Sequence, residues 1–234
     1  MNLEILYSDD KLVAINKPHD LLVHRTKIAK DADVFALQLL RDQLEKPVYP
    51  IHRLDRKTGG VLIFGLNEEI HKAMQQKFAE KEVIKKYLAI VRGYTNDEEI
   101  IDYPLKKENG AMQEAVTNSK TLDRVELNLP MGEHPTSRYS LLELQPFTGR
   151  KHQIRKHMAH IHHPIIADRP HGCNKQNRLF KEKFGLMTMM LHAWKISFEH
   201  PFTNELITIE ASIQDEFRRM LKTLGFKYLP DQVF

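Results

Sequence analysis

The chain has 234 residues, 41% hydrophobic and 28% charged, which is enough apolar material for a sizeable core and excludes a low-complexity chain. Its single cysteine, Cys173, excludes an intrachain disulfide and a cysteine-rich zinc site, and no apolar run has the length of a membrane span. The net charge of +4 is modest, so polyanion binding has to be sought in local clusters of cations. The N-terminus lacks a basic flank followed by an apolar core and a cleavage site. The expectation is one cytoplasmic domain over residues 1–234.

Leu3 to Tyr7 and Leu12 to Ile15 are short apolar runs broken by Ser8-Asp9-Asp10, which predicts a hairpin that ends at Asn16-Lys17-Pro18. Asp33 is placed to cap a helix carrying Leu37, Leu40 and Leu44 and stopping before Pro47. Next comes Pro50-Ile51-His52-Arg53-Leu54-Asp55-Arg56-Lys57-Thr58-Gly59-Gly60, in which one carboxylate stands between two arginines and ahead of two glycines. Cations favour the ionised form of a carboxylate, and glycines allow a tight bend and close approach of a ligand. These residues alone fit either an ionised nucleophile beside phosphate-seeking arginines or a surface turn whose charges cancel.

Val61-Leu62-Ile63-Phe64 is too apolar for an exposed strand and predicts the centre of a sheet. Asn67 is placed to cap a helix with Ile70, Met74 and Phe78 on its core face. Lys85 to Gly93 has a basic lead and a β-rich run, with Tyr87 at its start offering an aromatic face and a polar tip. Residues 95–120 read as polar and irregular, with Lys106 to Gly110 the most exposed loop. Arg124 to Leu129 and Arg138 to Leu144 predict two strands around a loop from Met131 to Pro135.

Thr148 and Gly149 predict a turn into a helix whose Ile154, Met158 and Ile161 face the core, placing Arg155 at the core's edge. Histidines 152, 157, 160, 162 and 163 crowd this region, but their spacing lacks the paired ligands and nearby carboxylate of a helical zinc motif. They are read as capping, RNA-facing or surface residues, and no metal is expected. Ile196 to Phe198 and Leu206 to Ile209 predict a hairpin, and Ser212 a capped C-terminal helix with Phe217, Met220, Leu221 and Leu224 inside.

His52-Arg53-Leu54-Asp55 with Thr58 and Gly60 resembles the signature of the RluA-type pseudouridine synthases, although that family usually has proline at the position of Lys57 and serine at that of Gly59. Ile15-Asn16-Lys17-Pro18, Lys85-Lys86-Tyr87-Leu88, Thr148-Gly149-Arg150 with His152-Gln153-Ile154-Arg155, His163-Pro164-Ile165-Ile166 and Leu191-His192-Ala193 extend the likeness in the family's order. Ala167 departs from it, glycine being usual there. The resemblance implies an α+β catalytic domain with a curved, mostly antiparallel sheet flanked by helices; with no domain before the first hairpin, an S4 RNA-binding module is not expected.

The resemblance also implies isomerisation of uridine to pseudouridine with no cofactor, on a nucleotide flipped out of its stack. Asp55 would be the catalytic residue, Tyr87 would lie against the uracil, and Arg155 would hold Asp55 ionised. Arg53 would enter the RNA helix, with His52, Thr58, Leu191 and His192 completing the substrate site. Arg56, Lys85, Lys86, Arg150 and Lys151 would contact phosphates. The details Leu22-Val23-His24-Arg25 and Lys175-Gln176-Asn177-Arg178 look most like the tRNA-modifying branch, implying uridine 65 of tRNA; a monomer is expected. A ribosomal RNA target, or RNA binding without catalysis, is the competing expectation.

Overall fold

The computed structural model describes residues 2–24 and 34–230. Two compact units emerge, Met1–Lys85 with Ala193–Ser212, and Lys86–His192 with Ile213–Phe234. Within both, the strands pair mostly antiparallel and helices accompany them, giving the mixed α+β architecture expected.

The first unit begins with β1 (Glu4–Ser8) and β2 (Leu12–Lys17), a hairpin whose turn is closed by Asp9 Oδ1 accepting the amides of Lys11 and Leu12. Helix α1 (Ala36–Leu44) follows with Phe35 as its N-cap and no side-chain cap. Carbonyls of Leu22 and Val23 accept the Ala36 and Leu37 amides instead. Asp33, expected to cap this helix, lies outside the described residues.

Strand β3 (Tyr49–Pro50) and β2 pair with β4 (Gly59–Gly65), which is buried along its whole length, as the unbroken apolar run predicted. Helix α2 (Glu68–Ala79) starts where Asn67 Oδ1 accepts the Ile70 amide at 3.0 Å. It packs Ile70 and Met74 into a cluster with Leu12, Ile51, Val61 and Ile63.

The second unit carries most of β5 (Ile84–Arg92), then β6 (Glu98–Asp102) and the short hairpin of β7 (Leu105–Lys106) and β8 (Met112–Gln113). Two long strands follow, β9 (Val116–Leu127) and β10 (Ser137–Pro146), giving the order β5-β10-β9-β6. Residues 95–120 are therefore mostly strand, correcting the irregular reading. Their polar side chains alternate with buried Ile101, Thr117 and Ser119, which leaves little apolar signal in the sequence. The tip at Lys107 to Ala111 is exposed, as expected.

Helix α3 (Gln153–His160) buries Ile154 and Met158, whereas Ile161 is its C-cap and only half-buried. Helix α4 (Asn174–Phe184) was not predicted, because only Gln176 and Phe180 of it are buried and its remaining face is charged. The chain then returns to the first unit through β11 (Leu191–Glu199), beside β4 and paired with β12 (Leu206–Glu210). The last helix, α5 (Asp215–Leu224), buries Phe217, Met220, Leu221 and Leu224, but its N-cap is Gln214. Ser212 is not the cap; its hydroxyl instead meets Asn16 Nδ2 at 3.3 Å. No helix among the described residues is long and apolar enough to cross a membrane.

Candidate active site

The Asp55 turn is held by backbone and by its flanks. The Thr58 amide donates to the Asp55 carbonyl at 3.0 Å, and Thr58 and Leu54 are buried on either side. Asp55 itself is half-buried and Arg53 is exposed. Gly60, at φ +113°, sits so close to β11 that an added Cβ would lie 2.1 Å from the Ala193 carbonyl oxygen. Only glycine satisfies both that backbone angle and that approach. The loop is thereby fixed directly against Ala193.

Lys17 closes the turn from below. Its side chain is fully buried, and its ammonium donates to the carbonyls of Pro18 (2.9 Å), Leu21 (2.8 Å) and Arg56 (3.3 Å). Burial lowers its pKa to about 7, opposed by the charges of Asp20 and Asp55. Arg56 Nε donates to the Asp20 carbonyl at 3.2 Å, and Lys57 pairs with the Asp20 carboxylate at 2.8 Å. Lys57, which replaces the family's proline, thus ties the turn to the strand exit by charge.

His52 has a structural task. Its Nε2 accepts the Ile63 amide of β4 at 3.2 Å, and its ring stacks on Phe78 with centroids 5.1 Å apart. An acceptor nitrogen requires the neutral ring, and burial together with Lys85 lowers the pKa to about 3. Lys85 lies with its ammonium 5.8 Å from the Phe78 centroid, its own pKa lowered by burial.

In the second unit, Tyr87 is half-buried on β5 opposite Leu144. Lys86 pairs with Glu143 at 2.8 Å. Arg150 Nε donates to the Glu114 carbonyl at 2.8 Å, and Lys151 pairs with Glu108. Leu191 and His192 are both buried, the latter with its ring near Phe217.

Arg155 is buried and forked onto Asp168, Nε to Oδ2 at 2.8 Å and Nη2 to Oδ1 at 2.7 Å. Asp168 Oδ1 also accepts the His171 amide at 3.3 Å. The planar fork fixes the guanidinium plane, which a single contact would leave free to swing. Asn177 of α4 brackets the same place: its Oδ1 accepts the Ala167 amide at 2.9 Å and its Nδ2 donates to the Asp168 carbonyl at 2.8 Å. Those two bonds hold Ala167 at φ +62°, the left-handed region in which glycine is usual.

Sequence reasoning missed Asp168 and Asn177 as the supports of Arg155. The only available signal was a lone acid after the histidine-rich stretch.

It also missed the hub formed by Gln153. The Gln153 Oε1 accepts the Thr148 hydroxyl (2.6 Å) and the Arg150 amide (3.0 Å), while Nε2 donates to Val116 O (2.9 Å) and Thr117 Oγ1 (3.0 Å). His157 continues this network. Its Nε2 donates to the Tyr103 carbonyl at 3.0 Å, since a carbonyl can only accept, and in the neutral ring Nδ1 accepts the Thr117 hydroxyl at 3.0 Å.

His157 is buried, and burial lowers its pKa and favours the neutral ring, which corrects its reading as a surface or RNA-facing residue. His152 lies 2.9 Å from His171, His160 stacks on Tyr103, and His163 meets the Arg92 carbonyl. Among the described residues, no three His, Cys, Asp or Glu side chains are grouped to hold a metal ion.

The description of RNA pseudouridylate synthases matches residues 11–160. tRNA pseudouridine synthase C of Haemophilus ducreyi is 46% identical over 238 residues, spanning 97% of this chain and 98% of that protein. The Vibrio cholerae protein of the same name is 44% identical over 236 residues, spanning 96% and 97%. Among solved structures, human RNA Pseudouridylate Synthase Domain Containing 4 aligns with a TM-score of 0.76 at 25% identity, covering 96% of this chain and 94% of its own. The matched span contains the Asp55 turn, Tyr87 and the Arg155 helix, and on this evidence the chain belongs to the RNA pseudouridylate synthase family.

Proposed function

We propose that this chain converts uridine to pseudouridine in tRNA, at position 65, using Asp55, Tyr87 and Arg155. The observation that carries the reading is the 44–46% identity over nearly the full chain to proteins named tRNA pseudouridine synthase C, in a chain that keeps His52-Arg53-Leu54-Asp55 with Thr58 and Gly60. The reaction breaks the N-glycosidic bond, turns the base and rejoins it through carbon. No electrons or groups are gained, so the reaction calls for no cofactor, and the two units of residues 1–234 serve together as one catalytic domain without a metal.

Asp55 acts on the target nucleotide as nucleophile or general base. Tyr87 presents its ring to the extruded uracil and Arg53 takes the space the base leaves. Arg155, with its plane set by Asp168, supplies positive charge that favours ionised Asp55. Arg56, Lys85, Lys86, Arg150 and Lys151 serve as phosphate contacts, those in ion pairs exchanging their carboxylate partner for RNA. His52, Thr58, Leu191 and His192 act from behind the contact surface, shaping it. The protein works as a cytoplasmic monomer.

The test is a pseudouridine map of tRNA and ribosomal RNA from a deletion strain and its parent. Loss of the modification at uridine 65 alone is the expected result. Loss confined to ribosomal RNA would move the substrate to the ribosome.

A further inference from the structure

A cavity of about 470 Å³ opens in the second unit, and none of the proposed catalytic residues lines it. Its size falls within the range of small-ligand sites. The walls are formed by Arg92 at the end of β5, Arg138 and Glu126 on β10 and β9, and Met131 and Pro135 on the connecting loop, with buried Gln176 of α4 behind them. The rim is ordered by its own backbone, since Met131 and His134 exchange both amide-to-carbonyl bonds. The floor is also fixed, because Gln176 donates to the buried Tyr139 hydroxyl.

The charges in this lining do not cancel. Glu126 is fully engaged: Thr136 donates to Oε1 at 2.5 Å, Arg138 Nε lies 3.3 Å from the same oxygen, and Tyr94 reaches Oε2 at 3.4 Å. Arg138 is further held over the Tyr94 ring at 5.1 Å. Arg92 is different. It is exposed, and among the described residues no hydrogen bond or ion pair engages its guanidinium. Two arginines against one committed carboxylate leave a net positive pocket, with apolar Met131 and Pro135 in the same lining.

We propose that this cavity binds one nucleotide of the substrate RNA, its phosphate on Arg92 and its base against Met131 and Pro135. The proposal rests on the tRNA reading above and deepens it. Arg92 stands five residues beyond Tyr87 on β5, about 17 Å along a strand. The contact therefore falls on a nucleotide other than the target, and it secures RNA rather than performing chemistry.

The experiment measures binding and conversion of an unmodified tRNA transcript by wild type, Arg92→Ala and Met131→Trp across a salt series. Met131→Trp fills the cavity while leaving Arg92 in the sequence. Both variants should bind about tenfold more weakly, with kcat at saturating tRNA unchanged. Arg92→Ala should also flatten the slope of log K against log salt by about 0.7 to 0.9, the signature of one lost phosphate contact.

Wild-type conversion together with wild-type affinity and slope in Arg92→Ala would overturn the pocket and leave the proposed activity standing. Failure of the wild-type protein to bind or convert tRNA would overturn both. Arg92-dependent binding of free uridine monophosphate, with tRNA affinity unaffected by Arg92→Ala, would assign the cavity to a free nucleotide and overturn the RNA contact.

Discussion

The Asp55 turn and the Arg155–Asp168 fork both position a charged group, by opposite means. Asp55 is half-buried on a loop shaped by backbone bonds, by the Gly60 contact with Ala193 and by the Lys17 ammonium beneath Arg56. Arg155 is buried and held by another side chain, which is in turn bracketed by Asn177. A buried ion pair is poorly tolerant of losing one member, because the survivor keeps its desolvation cost without its partner. A half-exposed carboxylate keeps water as an alternative partner. The carboxylate proposed to react is thus the accessible one, and rigidity lies where the guanidinium is enclosed.

The strongest way to break that contrast is Asp168→Ala, which leaves Arg155 buried without its fork. It should lower stability by about 3–5 kcal/mol in denaturant melts. A loss below about 1 kcal/mol would show that the pair is not a structural anchor. Gln153→Ala comes next. It removes four hydrogen bonds around the Thr148 turn and should cost about 1–3 kcal/mol, read in the same melts.

What the sequence made legible follows the physical origin of each feature. The all-buried β4 and the Asn67 cap were readable because an apolar run and a single capping side chain are local signals. Residues 95–120 and α4 were not, because polar strands and a helix with two buried residues carry almost no hydrophobic period. Ser212 misled for the reverse reason, being a good capping residue placed three positions before the helix begins.

In the candidate site, motifs name Asp55 and Arg155 and also contain Lys17, Gln153 and Asn177, but the tasks of these three and of Asp168 arise from contacts between separate segments. Spacing in one chain does not reveal such contacts.

A smaller effect separates the two regions by pH. His52 stays neutral in the fold with a pKa of about 3, whereas in the unfolded chain it gains a proton as pH falls through about 6.5. The unfolded state then binds more protons, so stability contributed by neutral His52 is full above about pH 6.5 and drains away toward pH 3. His52→Gln should show a shallower decline between about pH 7 and about pH 5 than wild type. An unchanged decline would mean that His52 is not held neutral.

Ala167→Gly relieves a left-handed backbone in a side chain that has a Cβ. It should leave stability unchanged or raise it by up to about 1 kcal/mol, seen as a small rise in Tm. A clear fall would place the determinant of that backbone elsewhere than Asn177 and the glycine preference.

The central claim is that Asp55 performs the chemistry without holding the fold together. Conversion of an unmodified tRNA transcript by purified Asp55→Asn and wild-type protein, with melts of both, measures it directly. The account predicts a rate at least about 1000-fold lower and stability within about 0.5 kcal/mol of wild type. Pseudouridine formed by Asp55→Asn at a near wild-type rate would contradict it.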